Sequence, residues 1–205
     1  MIKAIETFYK GSKFRSRLEA KWAVFFNILK IPYEYEKEGF DLGGDIYYLP
    51  DFWMPTLKCW IEIKGEETTE LDEVKYKKLA EKSHFRVYLF VGPIITPSDK
   101  NSNFIKYKAD SYSYSSAKAF FIGGTEDMYF WCECPNCRKF SIEYYGRPAR
   151  NCDCFPDSDK QTTAFSNNLI NAYLTASQAR FEFGETPKDS IEFSEEFGMI
   201  IKPAI

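Results

Sequence analysis

The segment Cys59-Trp60-Ile61-Glu62-Ile63-Lys64, closed by Gly65, carries the two-residue period of a β-strand. Cys59, Ile61 and Ile63 then point to one face, and Trp60, Glu62 and Lys64 to the other. Side chains two residues apart on one strand face stand about 6–7 Å apart. Glu62 and Lys64 are therefore near enough to share a metal ion and its water. Upstream, Leu49-Pro50-Asp51 opens a short extended segment, Asp51-Phe52-Trp53-Met54, that supplies a second carboxylate. Two carboxylates and a lysine around one point suit a hard cation. Mg²⁺ takes oxygen ligands and keeps several waters, and a bound metal activates water against a phosphodiester. The plainer alternative is an edge strand with a solvated Glu–Lys face.

Phe14, Leu18, Trp22, Phe25, Phe26 and Leu29 recur at helical spacing, so an amphipathic helix is expected over 13–29. Glu19 falls at the margin of that stripe, where the helix meets a sheet. Two readings of it stand. Ser16-x-x-Glu19 fits a capping box, in which Glu19 reaches back to the Ser16 backbone. Alternatively, because the apolar pattern begins at Phe14, Ser12 is the N-cap and Glu19 lies within the helix, free to act. The second places Glu19 mid-helix and is the expectation here.

A helix bearing Glu19, then Pro50-Asp51, then Glu62-Ile63-Lys64 resembles the PD-(D/E)XK nuclease superfamily, which includes restriction endonucleases and archaeal Holliday-junction resolvases. Within it, Phe14 to Ala23, Tyr48 to Pro55 and Trp60 to Gly65 are similar to small nuclease-like proteins of phages and prophages, and to the nuclease domain of heteromeric transposases. The resemblance covers residues 10–92. It implies an α/β, restriction-endonuclease-like core, a mixed central sheet flanked by helices. It implies Mg²⁺ or Mn²⁺ on Asp51, Glu62 and the Ile63 carbonyl, with Glu19 holding a metal-bound water or a second ion. Lys64 is implied to orient or deprotonate the attacking water. The implied function is metal-dependent endonucleolytic cleavage of DNA, double-stranded or branched, with a homodimer if four-way junctions are cut symmetrically. The alternative is a non-catalytic DNA- or protein-binding module on the same scaffold.

The 205 residues, 44% hydrophobic and 18% aromatic, suffice for one substantial core and a small appendage. No apolar run approaches a membrane span, so no membrane partner is expected and the reading is cytoplasmic, the host cytoplasm for a phage-encoded chain. Net charge is −3, which does not advertise a nucleic-acid binder. Its distribution matters more: residues 181–205 hold six acidic residues against Lys188 and Lys202, leaving 1–180 near +1. Such a tail is ordinarily solvated, or it screens the site. The one histidine, His84, excludes His-dependent nuclease chemistries and reads as the end of a helix. A coarse pass gives strands at 33–37, 46–49 and 59–64, a turn over 41–45, a helix over 70–82 and a buried strand over 86–91. A linker follows over 94–118, with one strand at 104–107. Lys75, Lys77 and Lys78 on the second helix read as solvated charges.

Five of the six cysteines cluster as Cys132-x-Cys134-x₂-Cys137 and, further on, Cys152-x-Cys154. Without a secretory leader such spacing reads as zinc, not disulfide. Cys134, Cys137, Cys152 and Cys154 are the expected Cys₄ ligands, with Cys132 a neighbour able to substitute. Arg138, Lys139, Arg147 and Arg150, with Tyr144 and Tyr145, offer phosphate and stacking contacts or are ordinary surface charges. The expected organisation is a nuclease core over 1–115, a zinc-ribbon-like module over 116–160, and a C-terminal helix (165–181, ended by Gly184) with the acidic tail over 161–205. Cys59 reads as a small core residue.

Overall fold

A computed structural model describes residues 4–96, 115–144, 154, 163–182 and 187. The chain opens with a hairpin, β1 (Thr7–Tyr9) and β2 (Ser12–Phe14), then α1 (Arg17–Ile28). Short strands β3 (Glu34–Tyr35), β4 (Phe40–Asp41), β5 (Tyr47–Tyr48) and β6 (Phe52–Met54) lead to β7 (Cys59–Lys64). After α2 (Glu70–Ser83) come β8 (Arg86–Val91), β9 (Ala117–Phe121), β10 (Gly124–Glu133), β11 (Phe140–Tyr144) and α3 (Asn167–Gln178). Seven strands form one mixed sheet in the order β11-β10-β9-β8-β7-β6-β3, with β7 and β8 parallel and every other neighbour antiparallel. β4 and β5 pair separately around the expected turn, where Gly43 and Gly44 both take positive φ.

The helices cover both faces. α1 and α3 pack with Ile61, Ile63, Phe90, Trp131 and Ile142 in one core. α2 packs Tyr76, Leu79 and Ala80 against Trp53, Trp60, Val87, Leu89 and Phe120 on the other. The alternation of β7 is as read, but β7 is no edge strand: β6 and β8 flank it and five of its six residues are buried. A solvated Glu–Lys face is thereby excluded.

Three expectations are corrected. The helix starts at Arg17, not 13, because Ser12–Phe14 pair with Thr7–Tyr9 as a strand. Its N-cap is Ser16, whose hydroxyl accepts from the Glu19 N–H at 3.2 Å. The strands over 117–144 do not stand apart as a module but extend the central sheet, with Trp131 set against Phe25 and Phe26 of α1. A backbone pairing of Glu133 with Thr163 brings the chain back along β10 to start α3. The strand expected at 104–107 and the stop at Gly184 lie outside the described residues. α2 and β8 match their expected spans, and His84 ends α2 in the left-handed conformation.

Because Trp131 is fully buried between sheet and helix, Trp131→Ala should cost about 3–5 kcal/mol. Urea denaturation should show this as a shift of one cooperative transition. A separate early transition with the main one unmoved would mean that β10 folds apart from the core.

Candidate functional site

Asp51 and Glu62 are 2% and 0% exposed. Asp51 precedes β6 and Glu62 lies on β7, and the pairing of Phe52 with Ile61 sets the two acids beside each other. They are also joined through the backbone: the Asp51 N–H donates to Glu62 Oε1 at 3.3 Å, and the Ile63 N–H donates to Asp51 Oδ2 at 2.8 Å. The Tyr48 hydroxyl donates to Glu62 Oε2 at 2.6 Å, and Arg15 Nη2 to Asp51 Oδ1 at 2.7 Å. Each of the four oxygens thus accepts one such hydrogen bond and has a further lone pair. Lys64, half-buried at the end of β7, is the nearest flanking lysine in sequence.

Burial dominates the electrostatics. It pushes the Asp51 carboxyl up to about 6, helped by the charge of Glu19 and opposed by Lys64, the Ile63 N–H and Arg15. Glu62 is driven well above the usual carboxylate range, first by burial and then by Asp51, again opposed by Lys64. Tyr48 is raised as well, by burial and then the Glu62 charge, so its hydroxyl stays a donor. For Arg15, burial would lower the pKa, but Asp51, Tyr35 and Glu36 outweigh it and the guanidinium is held charged.

Glu19 is buried at the third position of α1, where a capping partner sits. Its Oε1 accepts from the Ser16 hydroxyl at 2.7 Å; its Oε2 accepts from the Tyr35 hydroxyl at 2.5 Å and the Arg15 N–H at 3.1 Å. This is a variant of the capping box, reaching one residue past the N-cap. Glu19 thereby fixes the turn that aims Arg15 at Asp51, while its own charge still acts on Asp51. The three carboxylates do not bring three oxygens within 4.8 Å of one another; among the described residues only the cysteines form such a group. Asp51 and Glu62, the fixed pair, could hold a hard cation, since both offer carboxylate oxygens, both are buried, and the Asp51 charge raises Glu62.

Arg15 and Tyr48 are site residues that sequence reasoning passed over. Arg15 lies four residues before Glu19, but the helical spacing this suggests is not formed there. Tyr48 belongs to β5, outside the main sheet, and no local period points it at Glu62.

The second constellation is Cys134, Cys137 and Cys154, whose sulfurs lie within 4.8 Å of one another. Cys134-Pro135-Asn136-Cys137 turns as a knuckle. The Cys137 N–H donates to Cys134 Sγ at 3.4 Å, the Arg138 N–H to the Cys134 carbonyl at 3.0 Å, and Arg138 takes φ +61°. Glu133, buried, braces it by accepting from Arg138 Nε at 2.8 Å and Asn168 Nδ2 of α3 at 3.0 Å. Such a trio can hold a soft or borderline metal such as zinc. Cys152, the expected fourth ligand, lies outside the described residues, as do Tyr145, Arg147 and Arg150. Cys132 is outside the trio and packs with Phe130 beside Ala164 and Phe165. Cys59 is a buried core residue.

Comparison with family models, with curated proteins and with solved structures finds no match to this chain. Among the described residues no helix is long and apolar enough to cross a membrane.

An acid whose folded pKa is raised destabilises the fold once ionised. That cost is absent below its unfolded pKa and complete above its folded one. In chelator, Glu62→Gln should therefore melt higher than wild type at pH 8, by roughly 3 °C or more, with the gap closing toward pH 4. A lower melting temperature at pH 8 would contradict the charge strain assigned to this pair. For the cysteines, protein purified without chelator should contain one tightly bound zinc, and Cys134→Ser should yield less stable, metal-depleted protein. Metal analysis showing no thiolate-bound metal would overturn that assignment.

Proposed function

We propose that this protein is a metal-dependent endonuclease of the PD-(D/E)XK type, with a restriction-endonuclease-like core and a structural zinc site of four cysteines that include Cys152. The observation that carries the reading is the fixed pair of buried acids, Asp51 and Glu62, with Lys64 following on the same strand. Two carboxylates held side by side away from water need a cation, and no apolar core has a use for them. Asp51, Glu62 and the Ile63 carbonyl would hold Mg²⁺ or Mn²⁺, which supplies Lewis-acid activation of water and of the phosphodiester. Lys64 orients the water and offsets negative charge developing on the phosphorus oxygens. Tyr48 keeps Glu62 in register. Glu19 contributes through the charge it places near Asp51, through a water, and through the turn that carries Arg15. The substrate is DNA, double-stranded or branched, cut in the cytoplasm of the cell that makes it.

One observation favours a second reading. Arg15 already pairs with Asp51 at 2.7 Å and with Glu36 at 2.6 Å. A guanidinium that permanently neutralises Asp51 fits a non-catalytic scaffold that binds DNA or protein. Cleavage separates the two. Plasmid and four-way-junction DNA should be cut with Mg²⁺ or Mn²⁺ and not in chelator, and Asp51→Ala, Glu62→Ala and Lys64→Ala should each lose roughly 100-fold or more. No cutting by the wild type would decide for the scaffold, and wild-type cutting by Asp51→Ala would overturn the assignment of the metal site to Asp51.

A further inference from the structure

Beside α1 lies a cleft of about 750 Å³ lined by Arg17, Lys21, Ser177, Arg180 and Glu182. Arg17 and Lys21 are four residues apart and share one helix face. Arg17 and Glu19 are two residues apart, so they leave the helix in nearly opposite directions. The first turn of α1 therefore turns Arg17 away from Glu19, whose charge acts on Asp51. Lys21 Nζ donates to the Ser177 carbonyl at 2.6 Å, which anchors its ammonium at the cleft wall, and burial lowers its pKa.

The cleft already holds an anion supplied by the chain. Glu182 Oε1 pairs with Arg17 Nη2 at 2.8 Å, and its Oε2 accepts from the Phe181 N–H at 3.1 Å. Backbone N–H groups at Glu182 and Phe181, then the charges of Arg17 and Arg180, hold this carboxylate below its usual range. N–H donors and arginines converging on one oxyanion are what a phosphate needs.

We propose that Arg17, Lys21 and Arg180 form a seat for a backbone phosphate of DNA, occupied in the unbound protein by the Glu182 carboxylate. The naming of DNA rests on the endonuclease reading above; the anion seat rests on geometry. Glu182 is then a competitor that any DNA must displace.

The test is fluorescence-anisotropy titration of a fluorescein-labelled DNA duplex in chelator, repeated over a series of KCl concentrations. Arg17→Ala and Arg180→Ala change exposed side chains and should leave melting unmoved. Each should weaken binding by roughly 3–10-fold and flatten the salt slope by about one. Glu182→Gln should tighten binding, and Lys82→Ala, removing an equal charge at the far end of α2, should do neither. Wild-type affinity and slope in both arginine variants, or no DNA binding by the wild type, would overturn the proposal. The measurement needs no cleavage, so the two readings fail separately. Arginine-dependent binding without cutting sinks the nuclease and keeps the seat; cutting with undisturbed arginine variants does the reverse.

Discussion

Two carboxyl groups held out of water on adjacent segments of one sheet are the constraint around which this molecule is organised. Burying a carboxylate costs several kcal/mol unless it is paired and hydrogen-bonded, and here Asp51 and Glu62 are buried together. The fold meets that cost with directed groups: the Asp51 and Ile63 N–H groups, the Tyr48 hydroxyl, the Arg15 guanidinium and the Lys64 charge. Arg15 in turn depends on Glu19, Tyr35 and Ser16 for the turn that carries it. The acids therefore set the start of α1, the placement of β5 and the pairing of β6 with β7.

The surroundings make such a site tenable. β7 lies between β6 and β8, with α1 and α3 over one face and α2 over the other. Trp22, Phe25, Phe26, Phe52 and Trp131 interlock beneath α1, and Trp53, Trp60 and Tyr76 close the opposite face. Aromatic side chains of this size bury much area with few torsions to fix. A strained polar pair is tolerated inside so extensive an apolar shell.

Much of this was legible in sequence, and the rest fails for identifiable reasons. The alternation of β7 and the span of β8 carry strong local signals, and both were placed correctly. The start of α1 was misplaced because Phe14 falls at helical spacing while belonging to a hairpin with Thr7; over so few residues apolar spacing does not separate strand from helix. An apolar pattern that begins at Phe14 points to Ser12 as the cap and leaves Glu19 free to act, whereas Ser16 is the cap and Glu19 is bonded to its surroundings. The cysteine spacing brought Cys134, Cys137 and Cys154 together correctly but suggested a detached module. That β9 joins β8 is a long-range pairing, and no local period encodes it.

Exposure falls along the row from Lys64, half-buried, to Asp51 and Glu62, effectively sealed by β6, β8 and Tyr48. Among the described residues of this row, the end of β7 where Lys64 stands is the most open. A polymer passing such an opening offers it one strand at a time, and the second strand of a duplex faces away. Under the endonuclease reading proposed above, severing both strands at one locus thus calls for two such openings facing each other, or for one protein that lets go and returns.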